Sequence, residues 1–283
     1  MPSATLRESS LFHVGEGSCR SRLYLHVKHL VFMKLLFLTD PHFEKDSDSY
    51  SQAIELIEDE KPDILLLGGD YGNINTFTNF LNEAAKHVNK IFFILGNNDE
   101  FEPSQIPESP HNTTYVDGNV EVVGEVAVCG ISRNVSFRPR PYRRTIREFL
   151  SIAREVAGKV ASLPEEVWVR VLMLHDVSRE ILEAFQTMGK IQAFNPAIAD
   201  AVSKAIRLVQ PNIVLMGHLH AKAHMLILVT GNGHRIVETV STWHKYRTYI
   251  TIQVQSNKLL IEIKDINKET LYKTEQTKHI HNK

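Results

Sequence analysis

KIFFILGNND (Lys90–Asp99) runs five apolar residues into a glycine, two asparagines and an acid. A short segment that is apolar at every position, rather than at every second one, is a strand covered on both faces. It therefore belongs to a sheet held between other layers. The Gly-Asn-Asn-Asp that ends it is also what an ordinary strand-to-loop turn prefers. Taken alone it is a turn, and the rest of the chain decides whether Asn97 or Asn98 does chemistry.

Five further runs repeat the design: KLLFLTD (34–40), DILLLGGD (63–70), EVAVCGISR (125–133), WVRVLMLHD (168–176) and NIVLMGHLH (212–220). Helical patterns lie between them. Ile146, Phe149, Leu150, Ala153, Val156, Ala157 and Val160 recur at three-and-four spacing on one face. Ser49–Glu60 and Val177–Val209 are similar, and Asn195-Pro196 splits the second into two helices. Strand and helix in alternation predict a layered α/β domain. Toward the C-terminus, MLILVT and RIVETV flank an Asn232-Gly233 turn, and YRTYITIQV and LLIEIKDI add alternating strand, which predicts an antiparallel portion. No repeat or linker marks a second domain. The expected layout is an N-terminal extension over 1–32 ahead of Met33, a core domain over 33–272, and a polar, frayed tail over 273–283.

Lys and Arg number 32 against 33 Asp and Glu, a net charge of -1, so no global field draws the chain to nucleic acid or to an anionic membrane. Any affinity for phosphate must be local. Two cysteines, Cys19 and Cys129, are too few for a disulfide framework or a thiolate zinc site, and the cytoplasm is the expected compartment. The apolar stretch Leu23–Leu38 is broken by His26, Lys28, His29 and Lys34, so it predicts neither a signal peptide nor a membrane span.

In an open α/β sheet the loops leaving the carboxyl ends of the strands meet in one crevice, where ligands bind. Here those ends carry Asp40 and His42, then Asp70 and Asn73, then Asn97, Asn98 and Asp99, then His175 and Asp176, then His218 and His220. Each cluster alone is a turn, a cap or a polar loop; all of them at strand exits make a site. Carboxylate and imidazole together suit Mn, Fe, Zn or Co, whereas Mg or Ca favours oxygen alone. The ligand count exceeds one ion's needs, and two ions sharing a carboxylate is the economical solution. Two metals about 3.5–4 Å apart stabilise the attacking and leaving oxygens of a displacement at phosphorus and acidify a water to hydroxide.

The ordered set Asp-x-His (Asp40, His42), Gly-Asp (Gly69, Asp70), Gly-Asn-x-Asp (Gly96, Asn97, Asp99), His175 and Gly-His-x-His (Gly217, His218, His220) resembles the calcineurin-like metallophosphoesterase superfamily over about Met33–Val254. The resemblance implies a four-layer α-β-β-α sandwich, two mixed β-sheets flanked by helices, with a dinuclear site. It implies that Asp40, His42 and His220 hold one metal, that Asp70 bridges, and that Asn97, His175 and His218 hold the other. The cofactors are then two divalent ions, manganese first among iron, zinc, nickel, cobalt and magnesium. Asp99 is implied as a supporting residue that orients Asn98 or a ligating histidine.

The sequence departs from the pattern at Asn98, where relatives acting on monoesters usually carry a histidine that protonates the leaving oxygen. An amide has no such proton to give, so Asn98 points to phosphodiesters over monoesters. Asn73 is not expected to be a ligand, and His111, His224 and His244 are expected to be solvated or structural. Ile131–Arg147 carries six arginines and no acid, and leaves its strand beside the expected ligands. Arg133, Arg138 and Arg140 are therefore candidates for binding substrate phosphate, Arg133 foremost. The expected function is a metal-dependent phosphoesterase using a metal-bridging hydroxide on a small phosphate-ester or nucleotide substrate. A nuclease and a non-catalytic scaffold of the same fold are the alternatives; nucleic acid is not favoured as partner, and no membrane partner is expected.

Overall fold

The computed structural model describes residues 32–107, 109–188 and 195–278. Most of the expected N-terminal extension lies outside the described residues. Its last residue, Phe32, is instead the first of strand β1 and pairs with Gln255.

All six apolar runs are strands: β1 (Phe32–Leu38), β2 (Ile64–Leu67), β3 (Lys90–Phe93), β6 (Val126–Ile131), β9 (Val169–Leu174) and β10 (Ile213–Met216). They divide between two sheets. In the first, β1, β2, β3 and β4 (Thr113–Tyr115) run parallel. An antiparallel flank of β13 (Thr248–Gln255), β14 (Lys258–Asp265) and β15 (Thr270–Thr277) extends the other side of β1. In the second, β6, β9, β10 and β12 (Arg235–Val240) run parallel, edged by β5 (Val120–Val123) and β11 (His224–Val229). The expected C-terminal antiparallel portion is thus shared between the sheets. Alternation identifies the hairpins; it does not say which sheet each one joins.

Residues of strands buried on both faces sort by parity. Leu35, Phe37, Ile64, Leu66, Phe92 and Ile94 meet Val128, Val171, Met173, Ile213 and Leu215 between the sheets. Their neighbours Leu36, Leu38, Leu65, Leu67 and Phe93 face outward under helices α1 (Ser47–Glu60) and α2 (Ile74–Ala84). Cys129, Ile131, Leu172, Leu174, Val214 and Met216 do the same under α3 (Ile146–Ala161), α4 (Arg179–Thr187) and α5 (Pro196–Val209). The result is the α-β-β-α sandwich. Each such side chain contributes about 1.5–3 kcal/mol by burial.

Local chemistry sets the helix ends. Asp46 caps α1 by accepting the Asp48 and Ser49 N–H groups. Asn195 caps α5, with Pro196 in its first turn where a missing N–H costs nothing. Helix α2 is not legible from pattern, because INTFTNFLNEA is rich in poor helix formers. Phe77, Phe80, Leu81 and Ala84 nevertheless bury one face of it.

The expected frayed tail is also corrected. Residues 273–277 belong to β15, which pairs along β14. Its polarity is that of an edge strand, with Thr274 and Gln276 turned inward and Lys273, Glu275 and Thr277 exposed. Residues 279–283 lie outside the described residues. Among the described residues no helix is long and apolar enough to cross a membrane.

Candidate metal centre

The carboxyl ends of β1, β2, β3, β9 and β10 each release a loop into one crevice, and the loops tie to each other through the backbone. Asp40 N–H donates to Gly69 O (2.9 Å) and His42 N–H to Asp70 O (3.0 Å). Asp40, His42, Asp70, His218 and His220 all sit in the left-handed region, with φ of 52, 43, 61, 68 and 47°. That conformation costs a non-glycine residue on the order of 1 kcal/mol or more and persists only where the surroundings over-determine it.

Asp40, His42, Asp70 and His220 bring one ligand atom each within 4.8 Å of one another, and so do Asp70, His175 and His218. Asp70 belongs to both groups. In the first, His42 Nε2 is 3.1 Å from His220 Nε2 and 3.7 Å from Asp70 Oδ2, and His220 Nε2 is 3.3 Å from Asp40 Oδ1. In the second, His175 Nε2 is 3.3 Å from Asp70 Oδ2. The His175 Nδ1–H is held by Gly68 O at 2.8 Å, which fixes the ring with Nε2 facing inward.

One buried oxygen here, Asn97 Oδ1, has no hydrogen-bond partner, and His175 Nε2 faces only the shared Asp70 carboxylate. Buried polar atoms are nearly always satisfied, and a cation supplies what the Asn97 acceptor oxygen lacks. The donor set of carboxylate, amide oxygen and imidazole therefore fits divalent metal. The glycines are part of the same cradle. A Cβ on Gly96 would collide with Asp70 Oδ1 and lie 2.7 Å from His175 Cε1, and one on Gly217 would collide with Asp40 Oδ2 and Thr39 Oγ1.

Burial lowers His42 to about 4, against the pull of Asp70, and burial lowers His218 as well; both rings are neutral donors at pH 7. Burial would lower His175 too, but the charges of Asp70 and Asp40 outweigh it and raise that ring to about 10. Asp70 is driven the other way: its burial is overcome by His175 and by the Asn98 N–H, which hold it well below the usual carboxylate range.

Asp99 does not orient a histidine or the Asn98 side chain, as expected for it. Its Oδ2 accepts the N–H groups of Asp70 and Gly96 (2.8 Å each), and its Oδ1 accepts those of Tyr71 (2.8 Å) and Gly72 (3.4 Å). It fastens the second loop to the third. Asn98 is exposed and donates twice to Asp70, from N–H at 2.9 Å and from Nδ2 at 2.6 Å. Asn73 caps α2 by accepting from Thr76 N–H at 3.0 Å. His111 is exposed.

The arginines divide. Arg133 is 5% exposed, donates to the carbonyls of Asp99 and Phe101, and pairs with Glu102 at 3.4 Å. That overturns its place as the foremost phosphate binder: the carbonyls of the loop after β3 need donors, and a count of arginines along the sequence cannot show it. Arg138 and Arg140 are exposed and line a pocket of about 300 Å³.

Sequence reasoning places Asp176 at a strand exit without a ligand role and expects His244 to be solvated or structural. Asp176 accepts Asn134 Nδ2 and Val135 N–H, both at 2.6 Å, and its Oδ1 lies 3.8 Å from His218 Nε2. His244 is in a short helix, α6 (Trp243–Tyr246); its N–H donates to Asp40 O at 3.1 Å and its ring centroid is 5.5 Å from that of His42. The strand-exit rule finds Asp176 directly after His175, but not the partners that the fold gives it. Nothing in STWHKY marks His244 as a neighbour of β1.

The family model for calcineurin-like phosphoesterases matches residues 33–222. No curated protein matches the chain by sequence. The crystal structure of TT1561 from Thermus thermophilus is similar with a TM-score of 0.55 at 11% identity, covering 87% of this chain and 99% of that one. The structure of GAP50, the anchor in the inner membrane complex of Plasmodium, is similar with a TM-score of 0.57 at 7% identity, covering 89% and 90%. At these identities the two structures share the fold.

Proposed function

The chain belongs to the calcineurin-like phosphoesterase family, and from that premise we propose that it is a hydrolase of phosphodiesters, acting on a small or nucleotide-type ester with two divalent ions, manganese by preference. The observation that carries the proposal is the pair of ligand groups sharing buried Asp70, with Asn97 Oδ1 left unpartnered beside it. Asp40, His42 and His220 would hold one ion, Asn97, His175 and His218 the other, and Asp70 both. When bound, such ions neutralise charge on a phosphoryl group and lower the pKa of water toward 7.

The remaining roles fall to the chain. The left-handed loops and the Asp99 carboxylate hold the ligands in register, so little reorganisation is left for the moment of reaction. Asn98, at the mouth of the crevice, presents an amide where a proton donor would help a poor leaving group. General acid catalysis contributes about 10²–10⁴-fold, and diesters with acidic leaving groups need it least. The near-neutral chain favours a small substrate over nucleic acid, and the cytoplasm is the proposed compartment.

The test is a panel of aryl mono-, di- and cyclic phosphate esters with Mn, Mg, Ni and Zn, run on the wild type and on Asn98→His. The wild type should favour diesters by about tenfold or more in kcat/KM, and the histidine should narrow that ratio by about the same factor. A wild type that prefers monoesters, or a ratio unmoved by the histidine, removes the diester assignment.

A further inference from the structure

The arginine segment folds into a ribbon, β7 (Asn134–Ser136) beside β8 (Arg143–Thr145), and five of its six arginines separate by environment. Arg133 and Arg144 are satisfied, the first by carbonyls and Glu102, the second by Asp117 and Ser132 O. Arg138, Arg140 and Arg143 converge on the pocket of about 300 Å³ with Ser136, Phe137 and Ile198. None of these three arginines has an acidic partner among the described residues, and residues 132–147 contain no acid. Three guanidinium groups around one small cavity repel each other until an anion enters, and planar forks of this kind match phosphate oxygens two at a time.

The pocket belongs to the same end of the molecule as the metal centre. Helix α5 leads down to the start of β10, so its first turn, which includes Ile198, lies at the ligand-bearing end of the second sheet. The positive end of that helix dipole adds to the field of the arginines. The tether is shorter still. Val135, in the pocket wall, donates its N–H to Asp176, the residue after His175, and the other oxygen of that carboxylate lies 3.8 Å from His218 Nε2. Asp176 thus joins a residue of the pocket wall to the imidazole end of the metal centre. Phe137, 54% exposed, adds an aromatic face on which a base or sugar can rest.

We propose that this pocket is a second anion subsite of the active site, and that the substrate is a nucleotide-type diester carrying a further phosphate group beyond the scissile one. The proposal rests on the phosphodiesterase assignment above and sharpens it. The arginines take the distal phosphate, while the ester to be cleaved lies at Asp70 and the surrounding ligands.

Two p-nitrophenyl esters of thymidine 5′-phosphate, one with a free 3′-hydroxyl and one with a 3′-phosphate, differ by that group alone. A charge-assisted contact is worth about 1.5–3 kcal/mol, so the wild type with Mn should show a KM about ten- to a hundredfold lower for the 3′-phosphate ester. In Arg138→Ala/Arg140→Ala the ratio of the two KM values should collapse toward one, whatever the absolute rates; Arg143→Ala should reduce it separately. Equal KM values in the wild type, or a preference kept in the double variant, overturns the subsite. Should neither ester be cleaved with any metal, the phosphodiesterase assignment fails on its own, and calorimetry in EDTA still tests the pocket. Thymidine 3′,5′-bisphosphate should then bind the wild type at least about tenfold tighter than the double variant, and equal binding overturns the proposal. Inorganic phosphate that binds the pocket as tightly as the bisphosphate would make it a free-anion site and overturn the substrate assignment.

Discussion

Two regions of this molecule bury carboxylates, and they treat them differently. In the crevice, Asp40 and Asp70, with no exposed surface, face His42, His175 and His220, while Asp99 is met by four backbone N–H groups. On the outer face of the second sheet, Glu238 of β12 is 1% exposed and is met by the Ser178 hydroxyl, with the charges of Glu180 and Arg207 near it. Burial penalises a charge unless donors or opposite charge answer it. Asp70 accordingly stays ionised, while burial pushes Glu238 up to about 7. A buried acid is thus no sign of a site by itself. What distinguishes the crevice is convergence, since separate strands each deliver one or two ligands to the same few ångströms.

The sharpest way to break that distinction is to remove the shared ligand. Asp70→Asn keeps the shape and takes away the charge that joins the two groups. Metal assistance supplies several kcal/mol of charge stabilisation, so diester hydrolysis should fall by about 10³-fold or more, with bound metal lost on elemental analysis of the folded protein. Unchanged metal content and turnover would mean that Asp70 is a buried acid of the Glu238 kind, and would leave the fold serving as a scaffold.

The crevice was the most legible part of the chain because its chemistry is written at fixed places. Asp40, His42, Asp70, Asn97, His175, His218 and His220 each follow an apolar run within a few residues, and a run apolar at every position can hardly be anything but a doubly covered strand. Legibility failed where tertiary packing overrides composition. Helix α2 is a helix because Phe77, Phe80 and Leu81 have a sheet to lie on, against the propensity of its asparagines and threonines. Residues 273–277 are a strand because β14 offers an open edge. Arg133 looked like a phosphate binder because the carbonyls that claim it lie 32 and 34 residues away in sequence. Partner choice over such distances is set by the fold, and no local pattern encodes it.

Asp99 tests whether the crevice stays charged behind its first layer. Burial and the charge of Asp70 raise its carboxyl to about 7, against the pull of its backbone donors. Each of its oxygens accepts from two N–H groups, and an amide can offer only one such oxygen. Asp99→Asn must turn its NH₂ group toward a pair of donors, leaving them unsatisfied at about 1–3 kcal/mol each. Thermal or urea unfolding should report a loss of roughly 2–6 kcal/mol, and activity should fall by about 10–100-fold as the loops slacken. A silent substitution would show that the carboxyl is neutral in the native protein and that the two regions differ less than their partners suggest.

The smallest effect is expected at Glu238, where the sign of the pH dependence separates the regions. Its native pKa of about 7 lies above the ordinary 4.5, so the folded state holds this proton more tightly than the unfolded chain does. The stability tied to that proton is fully present below pH 4.5 and is lost as pH rises through 7. Glu238→Gln keeps an oxygen for the Ser178 hydroxyl and cannot ionise. Relative to wild type, the variant should therefore gain stability between pH 5 and 8, by on the order of 3 kcal/mol at the upper end, and the difference should vanish or reverse near pH 4. Urea denaturation of both proteins across that range reads the difference directly. A constant offset at every pH would mean that the native pKa of Glu238 is not raised, its charge answered in the fold as well as water answers it in the unfolded chain.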